Sequence, residues 1–191
     1  MTLAVKRLIR DAAARLPELA HVRASRILVV AGEARRASRA TIRPAHFKET
    51  GRTAGHGRRK PLVRVRGRKI LYVVTLRPLW FTASTPRERL ETILHELYHV
   101  STRFDGTLHR GRRHARLPRP RYDRRIRALR RRYLALAPDE VLAPLAFRGV
   151  VRTRMWLERP GAYRPGEHAG RSVYTERQLF YGLMPMRGRR R

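Results

Sequence analysis

Apolar positions in this chain change their spacing several times, and each change marks an element. Over residues 3–20, Leu3, Leu8, Ala12, Leu16 and Leu19 recur at helical spacing among charges. This predicts an amphipathic helix ending between Pro17 and His21. The run Arg26-Ile27-Leu28-Val29-Val30-Ala31-Gly32 is short, rich in branched residues and closed by glycine, the pattern of a buried strand. Residues 35–44 are basic with a few apolar positions and read as a second strand. Leu62-Val63-Arg64-Val65 and residues 69–76 flank Gly67 and predict two strands or a hairpin. The intervening residues 46–60 hold three glycines and little periodicity, so they read as a loop in which His46 and His56 are solvated.

Thr85-Pro86-Arg87-Glu88 is an N-cap, a proline at the first helical position and a capping-box glutamate. It predicts a helix over residues 86–103, stopping before the turn pair Asp105-Gly106, with Trp80 and Phe81 just upstream as core or lid residues. Beyond a basic loop, Tyr122, Ile126, Leu129, Tyr133 and Leu136 repeat at +4, +3, +4, +3. One face of that helix packs, and the other presents Arg124, Arg127 and Arg131. A short helix over residues 139–146, a strand over 149–157 and a helix over 175–182 are expected after Pro138, with a disordered basic tail at Arg187-Gly188-Arg189-Arg190-Arg191. The whole is an α+β chain, divided into a domain of residues 1–148 and a basic extension of residues 149–191.

Within the capped helix lies His95-Glu96-Leu97-Tyr98-His99. With eight histidines and ten glutamates in 191 residues, chance supplies only roughly 0.02 such patterns. At about 100° per residue, His95 and His99 fall within about 40° of each other and Glu96 about 100° from His95. Leu90, Ile93, Leu94, Leu97 and Val100 occupy the opposite side. Two imidazoles at i and i+4 can hold one zinc ion while the adjacent carboxylate reaches its water, which points to a zinc hydrolase with Glu96 as general base. Tyr98 reads as a packing residue flanking this site.

A catalytic zinc takes three protein ligands. Loop length after the helix favours His114, with His109 as the alternative, while Asp105, Asp123 and Glu140 are weaker candidates. The chain has no cysteine, so thiol catalysis, disulfides and cysteine zinc sites are excluded. No apolar run is long enough for a membrane span and the N-terminus lacks a secretory core, so the expected location is cytoplasmic. The formal net charge is +32, with 46 basic residues of which only Lys6, Lys48, Lys60 and Lys69 are lysines. An excess of that size suits a polyanionic partner, DNA or another nucleic acid, as well as a merely solvated basic surface.

The HELYH motif, followed by Phe104-Asp105-Gly106 and then a histidine after an arginine cluster, resembles a group of predicted prokaryotic metallopeptidases. More distantly it is similar to SprT-like zincins, over residues 26–114 and including the strand Ile27-Leu28-Val29-Val30. The resemblance implies a zincin-like fold, with a small mixed or antiparallel sheet, the motif helix and a second supporting helix. It implies a Zn2+ cofactor, a later loop histidine completing the site, a protein or peptide substrate paired with the edge strand, which it assigns to residues 69–76, and action on nucleic-acid-associated proteins. In the SprT-like pattern the third histidine precedes glycine, whereas Ala115 follows His114 here, so His109 and His114 both stay open.

Overall fold

A strand with no polar residue needs cover on both faces, and β1 (Ile27–Ala31) is buried at all five positions. Ile27, Val29 and Ala31 face the main core, while Leu28 and Val30 join Val63, Ile70 and Tyr174 on the other side. The computed structural model describes residues 1–33, 38–45, 61–112, 119–161 and 173–187. Within them, β1 lies in a five-stranded mixed sheet with β2 (Ala40–Pro44), β5 (Tyr72–Leu76), β6 (Gly149–Trp156) and β8 (Leu179–Met186), in the order β2-β5-β1-β6-β8. β1 runs parallel to β5 and β6, whereas β2 and β8 run antiparallel to their neighbours.

A smaller ladder of β4 (Arg68–Lys69), β3 (Leu62–Val65) and β7 (Val173–Tyr174) adds Val63 and Tyr174 to the second core. The β3–β4 turn places Arg66 and Gly67 at φ of 51° and 71°, the left-handed pair that a two-residue hairpin requires. The chain then leaves that ladder at Ile70-Leu71, so residues 69–76 supply two strands in different sheets rather than one.

Helices cover the main core. α1 (Thr2–Arg15) buries Val5, Leu8, Ile9 and Ala12 and leaves Leu3 exposed. After a single turn at α2 (Pro78–Phe81), α3 (Pro86–Tyr98) buries Leu90, Ile93, Leu94 and Leu97. α4 (Arg119–Leu136) buries Tyr122, Ile126, Leu129 and Tyr133, and the Tyr133 hydroxyl donates to Asp11 of α1 at 2.7 Å. α5 (Asp139–Ala146) closes the layer.

Three expectations are corrected. The described residues of the expected extension, 149–161 and 173–187, are not an appendage, because β6 pairs with both β1 and β8, and Met184 and Met186 sit in the main core. The helix expected over residues 175–182 is one 3-10 turn, Glu176–Gln178, leading into β8. α3 ends at Tyr98, not near residue 103, because Leu108 folds back to bridge Val100 through a turn that sets Phe104 at φ 49°. Residues 188–191 of the expected tail lie outside the described residues.

Two buried polar groups anchor this arrangement. The Arg89 guanidinium, 1% exposed, donates to the carbonyls of Phe81, Thr82, Leu145 and Arg187, tying α3 to the C-terminal ends of α2 and α5 and to the end of β8. Replacing it with methionine strands the Thr82, Leu145 and Arg187 carbonyls, the Phe81 carbonyl keeping the Ser84 N–H, and Arg89→Met is expected to lower unfolding free energy by about 3–5 kcal/mol. Urea unfolding with an unchanged m-value checks this, and a loss below about 1 kcal/mol contradicts it.

Tyr72 donates to the Thr107 carbonyl at 2.8 Å and accepts from the Gly106 N–H at 3.0 Å, holding the loop that follows α3. Burial is the main reason its pKa is pushed up to about 12. The neutral phenol is therefore favoured by folding. Its contribution is fully present below the unfolded value of about 10 and is lost as pH rises towards 12. Denaturation midpoints measured between about pH 9 and about pH 12 should fall less steeply in Tyr72→Phe than in the parent.

Candidate metal centre

The site helix is launched by the expected capping box: the Thr85 hydroxyl accepts from the Glu88 N–H while Glu88 accepts from the Thr85 N–H. Glu88 also meets Arg39, beside β2, at 2.6 Å. With the leucines of α3 in the core, the other side turns His95 and His99 towards α4. Their Nε2 atoms lie 3.2 Å apart. Two nitrogens on one tetrahedral zinc, each about 2.0–2.1 Å from it, are separated by about 3.3 Å.

The second nitrogen of His99 completes the argument. Nδ1–H donates to the Arg112 carbonyl at 2.8 Å, which fixes the tautomer and leaves Nε2 with its lone pair towards His95. His95 is half-buried and His99 buried.

Glu96 is also buried, and one carboxylate oxygen accepts from the Ile42 N–H at 2.7 Å. Burial raises its pKa to about 8, partly opposed by that hydrogen bond. A cleft of about 510 Å³ opens here, lined by Arg39, Ala40, Thr92, His95, Asp123 and Arg127 among others. The larger hollow of about 1040 Å³, between Leu3, Phe147, Val150 and Tyr181, is apolar and holds none of the motif.

The remaining candidates divide clearly. His109 donates its backbone N–H to the His99 carbonyl at 2.8 Å. Its ring lies near Arg112, and burial followed by Arg112 lowers its pKa, which favours the neutral imidazole. Asp105 caps its own turn, accepting from the Thr107 N–H and hydroxyl, and meets Arg103 at 3.3 Å. Asp123 lines the cleft, and Glu140 is exposed in the first turn of α5. His114, His46 and His56 lie outside the described residues. Among the described residues no group of three or more His, Cys, Asp or Glu side chains is disposed to hold a metal.

Tyr98 packs, as expected, with Tyr122 and Ile126, beneath the Arg112 guanidinium at 4.3 Å. Sequence reasoning missed Tyr122 itself. Its ring stacks on His99 at 5.6 Å and 20°, meets His95 edge-on at 5.0 Å, and carries its hydroxyl to 3.3 Å from His99 Nε2. The +4, +3 stripe marks Tyr122 as inward-facing but says nothing of which helix it meets. The Arg112 carbonyl and the Ile42 N–H are backbone groups, and no residue type signals them.

The expected substrate strand also needs correcting. β5 lies between β2 and β1, so it has no free edge; β2 is the edge strand beside α3. Arg77 N–H donates to Arg39 C=O and Ala45 N–H to Leu71 C=O, so odd-numbered residues of β2 bond to β5. The backbone groups of Ala40 and Ile42 therefore point outward. Among the described residues, no helix is long and apolar enough to cross a membrane. No family model matches this chain, and neither the curated proteins nor the solved structures yielded a match.

Proposed function

We propose that this chain is a zinc-dependent metallopeptidase in which His95 and His99 hold the metal, His114 is a further donor carried over from the sequence, and Glu96 moves the proton. The observation that carries this reading is the 3.2 Å approach of two Nε2 atoms beside a buried carboxyl in an open cleft. Bound zinc would supply Lewis acidity towards a peptide carbonyl and a water acidic enough to ionise near neutral pH.

This chain's own residues do the rest. Without a cation nearby, burial holds the Glu96 carboxyl largely protonated at neutral pH, its pKa raised to about 8; a dication held by His95 and His99 would favour the carboxylate, which then accepts a proton and returns it to the leaving amine. Its Ile42 hydrogen bond keeps the carboxyl aimed while the motif helix stays fixed. An extended peptide adds to the outward backbone groups of Ala40 and to the Ile42 carbonyl, the Ile42 N–H being held by Glu96; such pairing tolerates many side chains. Arg39 and Arg127 line the same cleft and favour carbonyl oxygens or acidic side chains nearby.

Glu96→Gln is expected to retain stoichiometric zinc while losing at least about 100-fold in peptide hydrolysis. His99→Ala should lose the metal. Elemental analysis beside a casein-cleavage assay reads both. Full hydrolysis by Glu96→Gln would remove Glu96 as the proton carrier, whereas a zinc-loaded parent without hydrolysis would remove the peptidase assignment and leave the competing reading, a basic nucleic-acid-binding protein with a structural or inactive metal site.

A nucleic-acid-associated substrate is part of the proposal, because exposed Arg121, Arg124, Arg125, Arg127 and Arg131 run along α4 beside the cleft. Affinity for duplex DNA should fall steeply between about 50 mM and about 200 mM salt. Replacing Arg124 and Arg131 with alanine should reduce the log–log slope by about 2. A salt-independent affinity, or none at low salt, leaves a plain peptidase.

A further inference from the structure

Tyr122 is 1% exposed, and phenylalanine would fill the same space without the cost of burying a hydroxyl. The hydroxyl lies 3.3 Å from His99 Nε2, the atom that is itself 3.2 Å from His95 Nε2. Two separations that share one atom both match the edge, about 3.3 Å, of a tetrahedron with bonds of about 2.0–2.1 Å to zinc. The ring positions agree, since Tyr122 stacks on one imidazole and stands edge-on to the other.

We propose that Tyr122 is a metal ligand, its phenolate oxygen adding an anionic donor to the centre held by His95 and His99. The assignment rests on the metal-centre part of the reading above and is independent of peptide hydrolysis. Coordination replaces the phenol proton by the metal ion, and the proton leaves to solvent. A bound cation reverses the local preference for the neutral group, as it does for any acidic ligand. The centre would then be built from two packed helices, α3 and α4.

The test loads the full chain with one equivalent of Cu(II). A phenolate on Cu(II) gives a visible charge-transfer band and phenolate ring modes in resonance Raman, which imidazole and water ligands do not. The parent should show both, and Tyr122→Phe, folded by circular dichroism, should show neither. Zinc affinity of the variant, from chelator competition, should fall by more than the about 10–100-fold that loss of an outer hydrogen-bonding partner costs. Copper-loaded parent without phenolate signals, or a variant with the parent's zinc affinity, overturns the ligand role and leaves the histidine centre standing. Parent protein that takes up no metal removes the centre as well. If Tyr122→Phe fails to fold, the parent spectrum decides.

Discussion

Helix α3 can aim two imidazoles at one point only because its opposite face and both its ends are held. Leu90, Ile93, Leu94 and Leu97 fix its rotation by burial, each worth roughly 1.5–3 kcal/mol. The Thr85–Glu88 box and the Arg39 ion pair fix its start, and Arg89 locks its first turns to three other pieces of backbone. At its far end, Tyr72 grips the turn at Gly106 and Thr107, His109 N–H reaches the His99 carbonyl, and the Arg112 carbonyl orients the His99 ring. The short return from Val100 to Leu108 is therefore part of the site, since it delivers the second-nitrogen partner that a metal-binding histidine needs.

The same economy joins Glu96 to the edge strand. Burial raises the pKa of its carboxyl. The Ile42 N–H opposes that shift and places the group at the strand edge where an extended chain can add. Because β2 alternates its hydrogen bonds, the outward Ile42 N–H is the one that Glu96 engages. Pro44 closes the edge at the next outward position, where no N–H can be offered.

Sequence pattern revealed α3 almost completely, since its cap, its apolar face and its motif are all local. β1, α4 and α5 were legible for the same reason. What escaped is what depends on distant partners. Nothing local in residues 69–76 says that Ile70-Leu71 is a break between two sheets or that β5 is interior. The Pro- and Gly-bearing strand β8, LFYGLMPM, has no clean alternation, yet pairing with β6 along its full length makes it a strand. The end of α3 was set by a left-handed Phe104, a conformation that an aromatic residue does not advertise. In the site, His95, Glu96 and His99 could be read directly, whereas Tyr122 was visible only as one member of a packing stripe.

The charge of this chain bears on the same centre. Glu18, Glu88, Glu91, Asp11 and Asp105 each sit against an arginine, so much of the acidic complement is already neutralised locally. The excess arginines, including those along α4, generate a positive field that disfavours a divalent cation bound by neutral imidazoles alone. Screening limits that field to about 8–10 Å in physiological salt, but Arg127 shares the cleft with His95. A bound dication there gains from anionic neighbours at short range. The cleft offers the carboxyls of Glu96 and Asp123, and a Tyr122 ionised by the cation itself would add an anionic oxygen within the buried layer between α3 and α4. A positive field of this kind thus makes an anionic oxygen donor beneath it more valuable to a bound dication than another neutral nitrogen.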